Sequence, residues 1–163
     1  MKIDSDFLKN IVEEQIPIHK FLGLKLLEIE EGYAKVHVPF QELVLGDIVR
    51  RRWHGGILAT IMDSVGGLTG AAYFSSPKDK MATIDMRVDY LKGAEAAPIV
   101  VEGKIVRLGR RILVTKMYVW DEKEENLLAE GKGVYNFIRI KDNQQESSAF
   151  LGINPLKENP STD

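Results

Sequence analysis

The sequence predicts an α+β fold: one long central helix wrapped by a curved antiparallel sheet of about six strands, with a short helix at the N-terminus. Three observations predict it. Residues 53–74 carry Leu58, Ile61, Met62, Val65 and Leu68 at helical intervals and contain no Lys, Arg or Glu, so no face is plainly solvated. A helix apolar all round, outside a membrane, belongs in a protein core. Four strand-like runs then follow in close succession, and a hairpin pattern precedes the helix; a sheet folded around one helix buries all of these together.

Taken in order, "DSDFLKNIVEEQI" over 4–16 places Phe7, Leu8, Ile11 and Val12 on one helical face, with Asp4, Ser5 or Asp6 as N-cap and Pro17 as terminator. "LKLLEIEEGYAKVHVPF" gives strands over 25–31 and 33–38 about Gly32, with Ala34, Val36 and Val38 or the alternate set facing inward. Periodicity fails over 40–52, which is expected to be a loop. Within the long helix Gly66, Gly67 and Gly70 each lower helix propensity by about 1 kcal/mol against Ala. They are expected where another backbone approaches closely. The runs 81–90, 99–108, 111–120 and 127–140 are bounded by breakers, and their short connections predict an antiparallel meander. Residues 1–140 are therefore expected to form a single domain. The polar, proline-containing segment 141–163 is expected to be poorly ordered, with Phe150, Leu151 and Ile153 as its only docking candidates.

With 163 residues, 44% hydrophobic and 28% charged, the composition is that of an ordinary globular domain. A net charge of −2 gives no general attraction to nucleic acid or anionic membrane. The absence of cysteine excludes disulfides, thiolate catalysis and cysteine–metal sites. "MKIDSDFLKNIVEEQ" has early acids and no apolar core, unlike a secretory signal, and no run of apolar residues is long enough to span a bilayer. A cytoplasmic protein without nucleic-acid or membrane partners is expected. His19 and His37 have no constellation around them, so no metal is expected.

One acid interrupts the apolar helix. Asp63 has Ala59, Thr60, Gly66 and Gly67 at helical reach, none of them basic. Burying an ionised carboxylate without partners is costly. Asp63 therefore either meets hydroxyls or amides from elsewhere in the fold or faces a cleft as a functional group. The helix opens on His54-Gly55-Gly56. Its first N–H groups lack intrahelical partners and sit at the positive end of the dipole, where they can polarise a carbonyl oxygen. Gly55 and Asp63 lie eight residues apart, roughly 12 Å along a helix. Both can touch one substrate carbonyl only if Asp63 comes from a second, antiparallel copy, which predicts a homodimer with shared sites.

"HGGILATIMDSVGG" resembles the signature of hotdog-fold acyl-CoA thioesterases, in particular the phenylacetate-degradation branch, where His-Gly-Gly begins the central helix and an acid follows nine positions after the His. "MATIDMRVDYLKGA" resembles the strand after the helix in that family, whose Ser or Thr near the site corresponds to Thr83. "LGRR" at 108–111 resembles its basic turn. The resemblance covers about residues 15–140. It implies hydrolysis of an acyl-CoA thioester to free acid and CoA, with coenzyme A entering as part of the substrate and no cofactor. Asp63 of one subunit would act as general base or nucleophile, and the Gly55 amide of the other would polarise the carbonyl. Thr83 would orient the water or the carboxylate, or would simply pack as a strand residue. His54 would shape the helix start, and Gly56 would line the substrate.

Arg110 and Arg111, with Lys92 and Lys80 behind them, are the expected phosphate contacts, whereas the Arg50-Arg51-Arg52 run is read as a solvated loop. The acyl group would lie in an apolar tunnel between subunits, in a homodimer or a dimer of dimers. One position departs from the family: many relatives carry Asn or Gln six positions before the His, where this chain has Ile48. A hotdog protein that binds acyl-CoA without turnover, and a hotdog enoyl-CoA hydratase or dehydratase built on His54 and Asp63, are the alternative readings.

Overall fold

The computed structural model describes residues 5–74, 76 and 78–138. The candidate cap Asp4, strand residues 139–140 and the segment 141–163 with Phe150, Leu151 and Ile153 lie outside the described residues. Helix α1 (Ser5–Asn10) continues as a π-helical turn (Ile11–Gln15). Pro17 does more than end it. Its fixed φ suits a first helical position, and it opens α2 (Pro17–Leu22), which closes on Gly23 at φ +67°. The buried His19 donates from Nδ1 to the Val12 carbonyl at 3.0 Å, tying the π turn to α2. Glu13 accepts from Lys25 Nζ and the Leu26 amide, which fastens this segment to the edge of the sheet.

Strands β1 (Lys25–Glu30) and β2 (Tyr33–Val38) form the expected hairpin, with Gly32 at φ +84° and Ala34, Val36 and Val38 fully buried. The predicted loop 40–52 contains a 3-10 turn (Glu42–Val44) and β3 (Leu45–Asp47), and β3 pairs with β4 (Arg52–Trp53). Trp53 thus belongs to a strand. The long helix α3 spans Gly55–Ala71, shorter than the predicted 53–74 at both ends.

Strands β5 (Lys80–Tyr90), β6 (Ile99–Leu108), β7 (Ile112–Asp121) and β8 (Leu127–Ile138) complete one six-stranded antiparallel sheet, but not as a four-strand meander. The order is β1-β2-β6-β7-β8-β5. β6, β7 and β8 form a meander; β5 pairs with β8 at the far edge, and β2 occupies the place beside β6. The helix is the reason. It carries the chain roughly 25 Å across the concave face, so the next strand starts on the opposite side of the sheet. This helix-in-sheet arrangement is the one the hotdog resemblance implies.

The buried side of α3 carries Leu58, Ile61, Met62, Val65 and Leu68 onto the sheet. Its glycines meet side chains rather than a second backbone. A Cβ at Gly66 would overlap the Tyr135 hydroxyl, and one at Gly70 would overlap Leu113 and crowd Met81. The opposite side is open: Gly56 is exposed and Thr60, Asp63, Ser64 and Gly67 are half-buried, so α3 does have a face that its own sheet leaves uncovered.

Candidate active site

Asp63 stands on that open face. Thr60 Oγ1 turns back to the Gly56 carbonyl and Ser64 Oγ to that of Thr60, so both neighbouring hydroxyls are spent on the helix backbone. The Asp63 carboxylate alone projects from the stripe. Thr83 Oγ1, on β5, donates to Asp63 Oδ1 at 2.8 Å. A register shift between Thr83 and Asp85 in the β5–β8 pairing marks this point, with Ile84 as the unpaired residue. Beneath, Tyr135 donates from its hydroxyl to the Asp63 backbone carbonyl at 3.1 Å. Burial, and then the nearby Asp63 charge, push the Tyr135 hydroxyl well above the ordinary tyrosine range, which keeps it a donor.

The N-terminus of α3 is equally defined. His54 is the N-cap, and its Nδ1 accepts from the Gly56 amide at 3.0 Å, which leaves the ring proton on Nε2 in the neutral form. Gly56 therefore has its N–H engaged, whereas the Gly55 N–H has no partner among the described residues. The Gly55 carbonyl accepts from the Tyr90 hydroxyl at 2.7 Å, which pins the first turn to the end of β5. Tyr90 carries no motif; only the pairing of β5 brings it here.

A cavity of about 340 Å³ opens beside this turn, lined by Asp47, Arg52, His54, Gly55, Tyr90 and Lys92 among others. The Arg50-Arg51-Arg52 run is not uniformly solvated. Arg50 and Arg51 are exposed, but Arg52 is half-buried, its guanidinium lies against Gly93, and its buried Nε has no hydrogen-bond partner among the described residues. The Arg50 amide first, then that of Val49, hold the Asp47 carboxyl below the usual carboxylate range. Lys92 reaches Asn126 Oδ1 at 2.8 Å. Ile48 is 82% exposed at the loop tip and does not line the cavity.

The remaining candidates are not gathered by a single chain. Leu113 packs on Gly70, so the turn bearing the exposed Arg110 and Arg111 lies at the C-terminal end of α3, away from His54 and Gly55. Asp63 likewise does not line the cavity at the helix start. Among the described residues no group of His, Asp and Glu could hold a metal ion, and no helix is long and apolar enough to cross a membrane.

Residues 52–127, from β4 to the start of β8, match the family model of the thioesterase superfamily. The chain is 29% identical over 136 residues to a provisionally named esterase of Saccharolobus solfataricus, covering 82% of this chain and 92% of that one. It is 25% identical over 121 residues to the medium/long-chain acyl-CoA thioesterase YigI of Escherichia coli K12, covering 67% and 78%. A solved structure from Shewanella oneidensis, described as related to the thioesterase superfamily, superposes with a TM-score of 0.72 at 29% identity over 80% of this chain and 93% of that one.

Proposed function

We propose that this hotdog-fold member of the thioesterase superfamily hydrolyses acyl-CoA thioesters at sites shared by two copies of the chain. The observation that carries the reading is the Asp63 carboxylate, anchored by Thr83 on the open face of α3. The superfamily match supports thioester hydrolysis in general. The E. coli relative, named for medium- and long-chain acyl-CoA, supports the substrate class.

The chemistry follows from the groups present. The unpartnered Gly55 N–H, at the positive end of α3, donates to the thioester carbonyl oxygen and to the oxyanion it becomes. Asp63 takes a proton from water as the water oxygen attacks the carbonyl carbon, or attacks that carbon itself, breaking the C–S bond to expel the CoA thiolate and leave a mixed anhydride that water hydrolyses to the free acid and the restored carboxylate. In the first route collapse of the tetrahedral intermediate breaks the C–S bond, and the proton passes from Asp63 to the departing CoA sulfur. His54 caps the helix and fixes the amide rather than moving the proton.

Gly55 and Asp63 of one chain are about 12 Å apart along α3. The acid that serves each amide is therefore Asp63 of the partner subunit. Support comes from the small, open stripe on α3 and from the edge strand β5, whose Ile84 and Tyr90 are exposed. Arg52 and Lys92 in the cavity, with Arg110 and Arg111 brought from the other subunit, are the cations for the coenzyme A phosphates. The deciding experiment monitors thiol release from a panel of acyl-CoAs for wild type, Asp63→Ala and Asp63→Asn. A wild type that binds the panel but releases no thiol would overturn the enzymatic reading, and full rate in both variants would overturn the site.

A further inference from the structure

Strand β5 bonds α3 at two places, and the two bonds need the irregularity between them. Thr83 Oγ1 donates to Asp63, and the Tyr90 hydroxyl donates to the Gly55 carbonyl at 2.7 Å. Thr83 and Tyr90 are an odd number of positions apart, which in a regular strand puts their side chains on opposite faces. In the pairing with β8, however, Thr83 opposes Tyr135 while Asp85 opposes Val134, so Ile84 is one residue extra. A bulge of this kind reverses the alternation. Before it, Met81 lies against Gly67 and Gly70 of α3; after it, Met86 and Val88 pack on the core, and Tyr90 continues their face. The exposed Ile84 absorbs the difference.

The end of β5 is firmly held. Tyr90 pairs with Ala129, and the amides of Leu91 and Lys92 both donate to the Leu128 carbonyl, at 2.9 and 3.0 Å. The Tyr90 ring lies against Gly55, where an added Cβ would stand 3.2 Å from Cζ and 3.3 Å from Cε1. Gly55 therefore seats an aromatic ring. As the first residue of α3, its carbonyl already accepts the helical bond from the fourth residue on. The Tyr90 bond thus rescues no orphaned group, and the tyrosine, 53% exposed, gives up water to make it. Such an exchange adds little stability. What it adds is a fixed direction for the first turn. The rest of that turn is fixed as well: His54 N donates to the Val44 carbonyl at 2.8 Å, and the His54 carbonyl accepts from the Ile57 and Leu58 amides at 3.0 and 3.2 Å. These last two bonds polarise the peptide that carries the Gly55 N–H and strengthen it as a donor.

We propose, on the thioesterase reading above, that Tyr90 is a positioning residue for the hydrolysis: by clamping the first turn of α3 to β5 it aims the Gly55 N–H at the oxyanion. A donor stabilises that charge only if it already stands about 2.7–3.1 Å from where the oxygen will be. One edge strand then sets both reacting groups of its chain, the acid through Thr83 and the amide through Tyr90.

Thiol release from acyl-CoA by wild type and Tyr90→Phe tests it, since the variant keeps the ring and loses only the hydroxyl. The kcat is expected to fall by about 3- to 10-fold, with KM within a factor of about two and the urea midpoint unchanged. A second readout is the infrared band of an acyl-CoA isotopically labelled at the thioester carbonyl, bound to Asp63→Asn and to Asp63→Asn/Tyr90→Phe, where turnover is slow. The amide lowers this band on binding, and loss of the Tyr90 hydroxyl is expected to return it toward the free position. A wild-type kcat in Tyr90→Phe, or a band in the same place in both backgrounds, overturns the role of Tyr90 and leaves the thioesterase reading intact. A wild type that releases no thiol overturns that reading, and the role of Tyr90 with it.

Discussion

The Thr83 hydroxyl donates to Oδ1 of Asp63 at 2.8 Å, joining the edge strand β5 to the open face of α3. The bond fixes the direction of a carboxylate that no basic side chain among the described residues holds. Asp63→Ala and Asp63→Asn are expected to lower kcat for acyl-CoA hydrolysis by about 10²–10⁴-fold, the usual contribution of a positioned base. Thr83→Val is expected to lower kcat by about 10- to 100-fold with KM little changed, since a hydrogen bond to a charged group is worth about 1.5–3 kcal/mol. Thr83→Ser should keep most of the rate. Steady-state kinetics decide it, and equal rates for the Val and Ser variants would remove Thr83 from the site.

Arg52 presents an unpartnered, buried Nε beside the cavity at the helix start. If it receives a phosphate of coenzyme A, Arg52→Gln raises KM by roughly 10-fold and leaves kcat within about a factor of two, since binding and transition state lose the same contact. A KM unchanged from wild type would return Arg52 to a purely structural role over Gly93.

Gly66 faces the sheet, and the Tyr135 hydroxyl occupies the space a Cβ would need. Gly66→Ala is expected to destabilise the fold by about 1–3 kcal/mol in urea unfolding, despite the better helix propensity of alanine. Tyr135→Phe removes the overlapping atom. In a double-mutant cycle the cost of Gly66→Ala should therefore be smaller in the Tyr135→Phe background. Strict additivity would mean that the two residues do not compete for this space.

His19 is buried, and burial, opposed by its bond to the Val12 carbonyl, lowers its pKa below the ordinary 6.5. The unfolded chain then binds this proton more readily than the native state. The stability His19 contributes is complete above about pH 6.5 and is lost as pH falls below that value, at up to about 1.4 kcal/mol per pH unit. His19→Gln keeps an N–H donor for Val12 without titrating. Its urea midpoint is expected to fall less between pH 7 and pH 5 than that of wild type; parallel declines would assign the acid sensitivity elsewhere.

Local pattern was enough for much of the fold. The hairpin, the buried set on α3 and the bounds of β6 could be read directly, because side-chain period and turn residues act over a few positions, whereas only the structure selects Ala34, Val36 and Val38 over the alternate set as the inward face. Neighbouring signals also marked Asp63 and the His54-Gly55-Gly56 start. Pro17 reads as a stop in the sequence but opens α2, since the same fixed φ serves either end of the connection.

What the sequence determined by itself is therefore the long helix, the six strands of the main sheet and the one acid out of place among apolar neighbours. Only the tertiary structure decided that β5 lies beside β8, and so that Thr83 reaches Asp63 and Tyr90 reaches Gly55. Each of these depends on strand order, and strand order depends on how far a buried helix carries the chain before the next strand begins. Residues tens of positions apart acquire their neighbours only after that path is closed.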